Sequence, residues 1–179
     1  MIRMPKAIVM DTSTLIRSLS TLLSDKTIIP DNGESIHLFT TESVINEVKN
    51  RSSKVALQAM LSKISIISPS KPALRIVEKE AEKLGVLGKL SKTDLDVIAL
   101  AVDISNKYAS VYIASEDFAL QNVSASLGFK IIAIGRKIRY LISYNKKCKN
   151  CGLEYSNDLE QCPACSSKEF SLVVRRRKI

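Results

Sequence analysis

The chain has 179 residues, 45% of them hydrophobic, and a formal net charge of +9. That is enough apolar material for one packed domain of ordinary size with a small appendage. No apolar run approaches the roughly 20 residues of a membrane span, and the first residues lack the apolar segment and small-residue cleavage site of a secretory leader, so the expectation is a soluble, cytoplasmic protein with no membrane role.

The charge is unevenly placed. Residues 1–129 hold 15 Lys or Arg against 14 Asp or Glu, whereas residues 130–179 hold 12 against 4. Positive charge concentrated near one end points to a polyanionic partner, nucleic acid above all, against the blander reading of a solubilising tail.

Taken in order, Ala7-Ile8-Val9-Met10 follows Pro5 and ends on Asp11. Four consecutive apolar residues read as a strand buried on both faces of a parallel sheet. The carboxyl edge of such a sheet is where ligands bind, which makes Asp11 a candidate for chemistry, although Asp, Ser and Thr also cap helices there. Leu15, Ile16, Leu19, Leu22 and Leu23 predict a helix over 12–23, and Pro30, Asn32 and Gly33 predict a loop over 25–35. A strand at 36–40, a helix at 41–50 capped by Thr40 or Thr41, a helix at 53–63 and a strand at 64–67 follow. Pro72 suits the first turn of a helix that stops at Gly85. Residues 86–90 connect to a long helix over 92–107, then come a strand at 111–114, a helix at 116–127 closed by Gly128, and a strand at 130–134. Strands alternating with helices predict an α/β fold, a parallel sheet with helices on both faces.

Further acids fall at the same edge. With about 100° per residue, Asp94 shares the helical face of Val97, Ile98 and Ala101, while Asp96 falls with Asp103 on the side expected to meet solvent. A carboxylate turned toward a core is costly unless paired or metal-bound, but Ser91-Lys92-Thr93-Asp94 also has the form of a capping box. Glu47 borders the stripe of Val44, Ile45 and Val48, where a glutamate is ordinarily just solvated. Asp117 follows the strand at 111–114 and equally suits the first turn of a helix. Two carboxylates about 4 Å apart repel by roughly 4 kcal/mol at an effective dielectric of 20. A divalent cation relieves that, and an all-oxygen set suits Mg²⁺ or Mn²⁺ rather than zinc. The single histidine, His37, leaves little room for Ser-His-Asp or Cys-His catalysis and reads as packing or surface.

The segments AIVMDTSTLI, SVINEV, LSKTDLDVIALA and IASEDFALQNV, in that order, resemble the four acidic motifs of the PIN-domain ribonucleases. The resemblance covers residues 6–134. It implies a metal-dependent endonuclease with Asp11, Glu47, Asp94 and Asp117 around the catalytic metal and Ser13 and Ser115 as supporting polar residues.

All four cysteines fall in Cys148-Lys149-Asn150-Cys151 and Cys162-Pro163-Ala164-Cys165, with ten residues between the pairs. This is the pattern of a Cys₄ zinc site, the alternative being disulfides, which an intracellular chain disfavours. Tyr155 and a strand at 170–174 fit a zinc ribbon whose core includes Phe170. Arg136, Lys137, Arg139, Lys146, Lys147, Lys149, Arg175, Arg176, Arg177 and Lys178 flank it as candidate RNA contacts, with Tyr140, Tyr144, Tyr155 and Phe170 interspersed for stacking on unpaired bases, against the blander reading of ribbon core that is favoured for Phe170. The expected division is a PIN-like domain over 1–135, a basic linker over 136–145, a ribbon over 146–174 and a basic tail over 175–179.

A PIN-like domain followed by a Cys₄ ribbon resembles the Nin-one-binding-protein (Nob) family of ribosome-maturation endonucleases, in its archaeal form. The resemblance implies cleavage of precursor small-subunit rRNA at the 3′ end of the mature rRNA, on the pre-ribosomal small subunit, with one structural zinc and catalytic Mn²⁺ or Mg²⁺. Two alternatives stand beside it: a toxin-type PIN ribonuclease acting on tRNA or mRNA, and a non-catalytic RNA-binding assembly factor.

Overall fold

The computed structural model describes residues 5–17, 35–48, 61–133 and 135–179. The expected helix beyond residue 17, the loop up to residue 34 and most of the helix at 53–63 lie outside them. Five strands, β1 (Lys6–Met10), β2 (Ile36–Thr40), β3 (Ile64–Ile66), β4 (Ser110–Ala114) and β5 (Lys130–Ile132), form a wholly parallel sheet in the order β3-β2-β1-β4-β5. β1 lies at the centre and is buried along its whole length, which is why residues 7–10 of it are an unbroken apolar run. Strand order runs one way from β1 to β3 and the other way from β4 to β5. The switch point therefore lies between the carboxyl ends of β1 and β4, where an open α/β sheet leaves a crevice.

Helices α1 (Thr12–Arg17), α2 (Glu42–Glu47), α3 (Lys71–Leu84), α4 (Lys92–Ile104) and α5 (Phe118–Ser126) connect the strands. α4 stops three residues short of its expected end and passes into a 3₁₀ turn at Ser105–Lys107. It touches β1, β4, α2, α3 and α5. This enclosure corrects the expectation for Asp96, which is buried at 8% exposure rather than turned to solvent. The exposed side of α4 is narrower than the helical wheel assumed: Lys92 and Asp103 are exposed, while Val97 through Ala101 are all fully buried.

Strands β6 (Tyr140–Cys148), β7 (Glu154–Ser156) and β8 (Phe170–Lys178) form a separate antiparallel sheet in the order β7-β6-β8. β6 and β8 pair along nine residues, from Tyr140 opposite Lys178 to Cys148 opposite Phe170. The segments expected as linker and tail thus continue as paired strand over 140–145 and 175–178. Tyr140, Leu141, Ile142 and Tyr144 are good strand residues, and the arginine run sits on an edge strand whose side chains reach water. Phe170, expected in the ribbon core, is 38% exposed with the Lys146 ammonium 4.5 Å from its ring centre. Tyr155 is buried between Cys148 and Cys162 as expected.

This second sheet docks on α3 and α5 through polar clamps. The Asn122 amide donates to the Ile142 carbonyl at 2.7 Å and accepts from the Ile142 N–H at 2.9 Å. Gln121, fully buried, donates to the Ser115 and Arg136 carbonyls and accepts from the Ile138 N–H. Gly85 ends α3 in the left-handed region (φ 65°), and a Cβ there would lie 1.9 Å from the Tyr144 carbonyl oxygen. Gly85→Ala should therefore cost at least about 2 kcal/mol in chemical unfolding, combining left-handed strain with loss of the close approach. Gly88→Ala, whose Cβ would meet only the Asp158 carboxylate at 3.6 Å, should stay within about 0.5 kcal/mol.

Candidate active site and metal centre

β1 delivers Asp11 to the switch point, and the chain turns there into α1. Asp11 is buried, and one of its carboxylate oxygens accepts from the Ser13 hydroxyl at 2.9 Å and the Thr14 N–H at 2.8 Å. The Thr14 hydroxyl donates to the Ala114 carbonyl at the end of β4, so α1 is fastened across the switch point. Ser13 thus touches the Asp11 carboxylate directly.

β4 ends at Ala114, and Ser115 shapes the following turn. Its buried hydroxyl accepts from the Asp117 N–H at 3.0 Å, so it holds the loop and not a carboxylate. Asp117 is the N-cap of α5, accepting from the Leu120 N–H at 2.8 Å. Asp94 closes a full capping box with Ser91, one oxygen accepting the Ser91 N–H at 2.8 Å. Burial pushes the Asp94 carboxyl above its ordinary range, the Ser91 N–H and hydroxyl pull it back, and the negative charges of Asp117 and Asp11 push it up further. Those last two effects place the three acids within one another's fields. Glu47 ends α2, is exposed, and accepts the Thr12 hydroxyl at 2.6 Å, which sets it beside the first turn of α1.

Three of these acids sit at helix N-termini, so the capping reading holds for each of them. Capping by Asp11 and Asp117 engages one oxygen of each. An all-oxygen donor set of this charge fits a hard divalent cation. Among the described residues the acids do not close to ligand spacing; the one group of three or more that does is the cysteines.

The sulfurs of Cys148, Cys151, Cys162 and Cys165 all lie within 4.8 Å of one another. Cys148 and Cys165 are 3.6 Å apart and Cys151 and Cys162 3.5 Å apart, as free thiols, so the cross-linked alternative is not the arrangement found. Each pair forms the same turn: the Gly152 N–H bonds the Cys148 carbonyl and the Ser166 N–H the Cys162 carbonyl, with both turn residues at positive φ. Backbone N–H groups of Cys151 and Asn150 draw the Cys148 thiol down to about 6. At Cys151 the Leu153 N–H acts the same way, but the crowded sulfurs of Cys162 and Cys165 win and lift it to about 12. One cation resolves that conflict, and four sulfurs so placed could hold one zinc ion.

Of the basic residues, Arg136, Lys137, Arg139, Lys147, Lys149 and Lys178 are exposed. Lys146 donates to the Leu159 carbonyl and lies over Phe170. Arg175 is held in a two-pronged ion pair by Glu154, whose carboxyl the guanidinium lowers to about 2 with help from Asn145. Arg176 and Arg177 have no ion pair among the described residues. Gln121 and Asn122 were not anticipated as functional. Two adjacent amides in the apolar window of α5 were the available signal. His37 packs edge-on against Tyr108, as expected for a packing residue.

Residues 8–104 match the family described as the PIN domain of ribonuclease. The chain belongs to the PIN-domain ribonucleases. The chain is similar to Endoribonuclease Nob1 of Pyrococcus abyssi, 36% identical over 150 residues, or 82% of this chain and 89% of that one. Endoribonuclease Nob1 of Archaeoglobus fulgidus is 31% identical over 143 residues, covering 79% and 82% of the two chains. Ribonuclease VapC3 of Aeropyrum pernix is 33% identical over 131 residues, covering 72% and 86%. The Nob resemblance drawn from the motifs is therefore upheld. The matched PIN span contains Asp11, Glu47 and Asp94 and ends before Asp117. No described helix is long and apolar enough to cross a membrane.

Elemental analysis of the purified chain should find one zinc equivalent. Cys162→Ser, at a fully buried sulfur, should lose it and melt the β6-β7-β8 sheet, seen as loss of dispersed amide signals from that segment while the PIN domain stays folded.

Proposed function

We propose that this PIN-domain ribonuclease is a divalent-metal-dependent endoribonuclease that cleaves precursor small-subunit rRNA at the 3′ end of the mature rRNA, on the pre-ribosomal small subunit. The observation that carries the reading is the pairing of an acid-lined switch point with a docked Cys₄ sheet in one chain, alongside Nob1 relatives that align over four-fifths of it. Asp11, Glu47, Asp94 and Asp117 would hold Mn²⁺ or Mg²⁺, which supplies an activated water and charge stabilisation at the scissile phosphate.

The chain's own residues do the positioning. Ser13 and the Thr14 N–H aim Asp11, Ser91 aims Asp94, the Leu120 N–H aims Asp117, and Thr12 steadies Glu47. Zinc in the cysteine site stiffens the second sheet, which offers Arg176, Arg177 and Lys178 to the phosphates of single-stranded RNA. The similarity to Ribonuclease VapC3 favours a second reading, a PIN ribonuclease acting on another RNA. The choice of RNA substrate separates the two.

Asp11→Asn keeps an amide oxygen to accept from Ser13 and Thr14, so the protein should fold and bind RNA with little change while cleavage of a short RNA spanning the mature 3′ end, in Mn²⁺, falls by at least about a hundredfold. Retained cleavage would remove Asp11 from the metal set. Arg176→Gln combined with Arg177→Gln should flatten the log-log salt dependence of RNA binding by about 1.4, at about 0.7 per single-strand phosphate, and Arg175→Gln should do less because Glu154 already engages that guanidinium.

A further inference from the structure

Between the acid edge and the second sheet lies a pocket of about 130 Å³. Each wall belongs to a segment already met. Phe118 follows Asp117 directly. Lys89 lies two residues before Ser91, the partner of Asp94. Tyr140 and Tyr144 come from β6, and Val86 is buried at the base.

Two large rings are left open at this mouth, Phe118 at 48% and Tyr140 at 47% exposure. The one amide in the lining, Asn122, has both its polar atoms engaged by the Ile142 backbone. The pocket therefore offers faces to stack on and few groups to read an edge. Lys89 sits 4.1 Å from the centre of the Tyr144 ring and brings a cation to the same place.

We propose that this pocket receives one unpaired nucleobase of the RNA, next to the phosphate presented to the acids. The inference rests on the reading of the acid edge as the cleavage site. Asp117 is the cap of the helix that Phe118 begins, so a base stacked on Phe118 would bring its own sugar-phosphate to the start of α5, where Asp117 stands. Lys89 then meets the adjoining phosphate. Stacking on aromatic rings tolerates any base, because every base has a π face. The pocket accordingly selects for an unpaired nucleotide and not for its identity, and a duplex cannot fill it.

The test uses the full chain carrying Asp11→Asn, which removes cutting, and a short single-stranded RNA spanning the mature 3′ end with 2-aminopurine placed at successive positions. Fluorescence quenching on binding is expected at one position. Phe118→Ala should abolish that quenching and weaken binding about tenfold, and Phe118→Trp should restore both. An abasic site at the same position should weaken the Phe118-containing protein about tenfold and the Phe118→Ala protein hardly at all, since the two changes remove one contact. Quenching that survives Phe118→Ala, additive losses, or RNA bound with no quenched position would each overturn the pocket assignment. Because binding is read without cleavage, failure of the wild-type chain to cut this RNA would count against the proposed substrate and leave the stacking result standing on its own.

Discussion

Negative charges repel, and in this fold three carboxylates near one sheet edge are each held by the start of a helix. Asp11 caps α1, Asp117 caps α5, and Asp94 closes the capping box of α4. A helix N-terminus favours a nearby carboxylate by about 0.3–1 kcal/mol, so each acid is held by the element it starts. The strand order then brings those starts together, because the switch point lies between β1 and β4. Capping and metal binding are often weighed as rival explanations of an acid at a helix start. Here the acids that cap the helices are the same ones proposed to hold a metal, so local stability and the proposed site would have a common origin.

The second sheet depends on a different kind of contact. Asn122 and Gln121 satisfy backbone groups of the chain entering β6 as another strand would, and Gly85 lets that strand approach α3 without a side chain between. A buried amide fixed at both ends is costly to disturb, since releasing it strands a donor and an acceptor away from water. The docking is thereby specific in register. The crowded thiols beyond it add a constraint that a metal ion would satisfy.

Much of this was legible in the sequence. The parallel sheet was readable because buried strands are continuous apolar runs, and the positions of Asp11 and Asp117 because each follows such a run. The cysteines were readable because ligand spacing is a property of the tight turn that bears them. Asp96 was misread because a helical wheel assumes one wet side, and α4 is enclosed by five neighbours. The strand at 175–178 was misread because four adjacent cations resemble a tail when the strand opposite them, beginning at Tyr140, is unknown. Gln121 and Asn122 could not be placed, because the partners that give them meaning lie 15 to 20 residues further along.

The position of the arginine run has one more consequence. β8 is an edge strand nine residues long, bonded to β6 on one side only, with Leu172 and Val174 half exposed along it. A long, apolar, unpaired edge invites another chain to add itself as the next strand. Three arginines and a lysine at one end of that edge repel a second copy of themselves and break the flat apolar surface that stacking needs. The residues proposed to meet RNA phosphates thus have a second consequence, since the same charges disfavour strand addition by another copy of the chain.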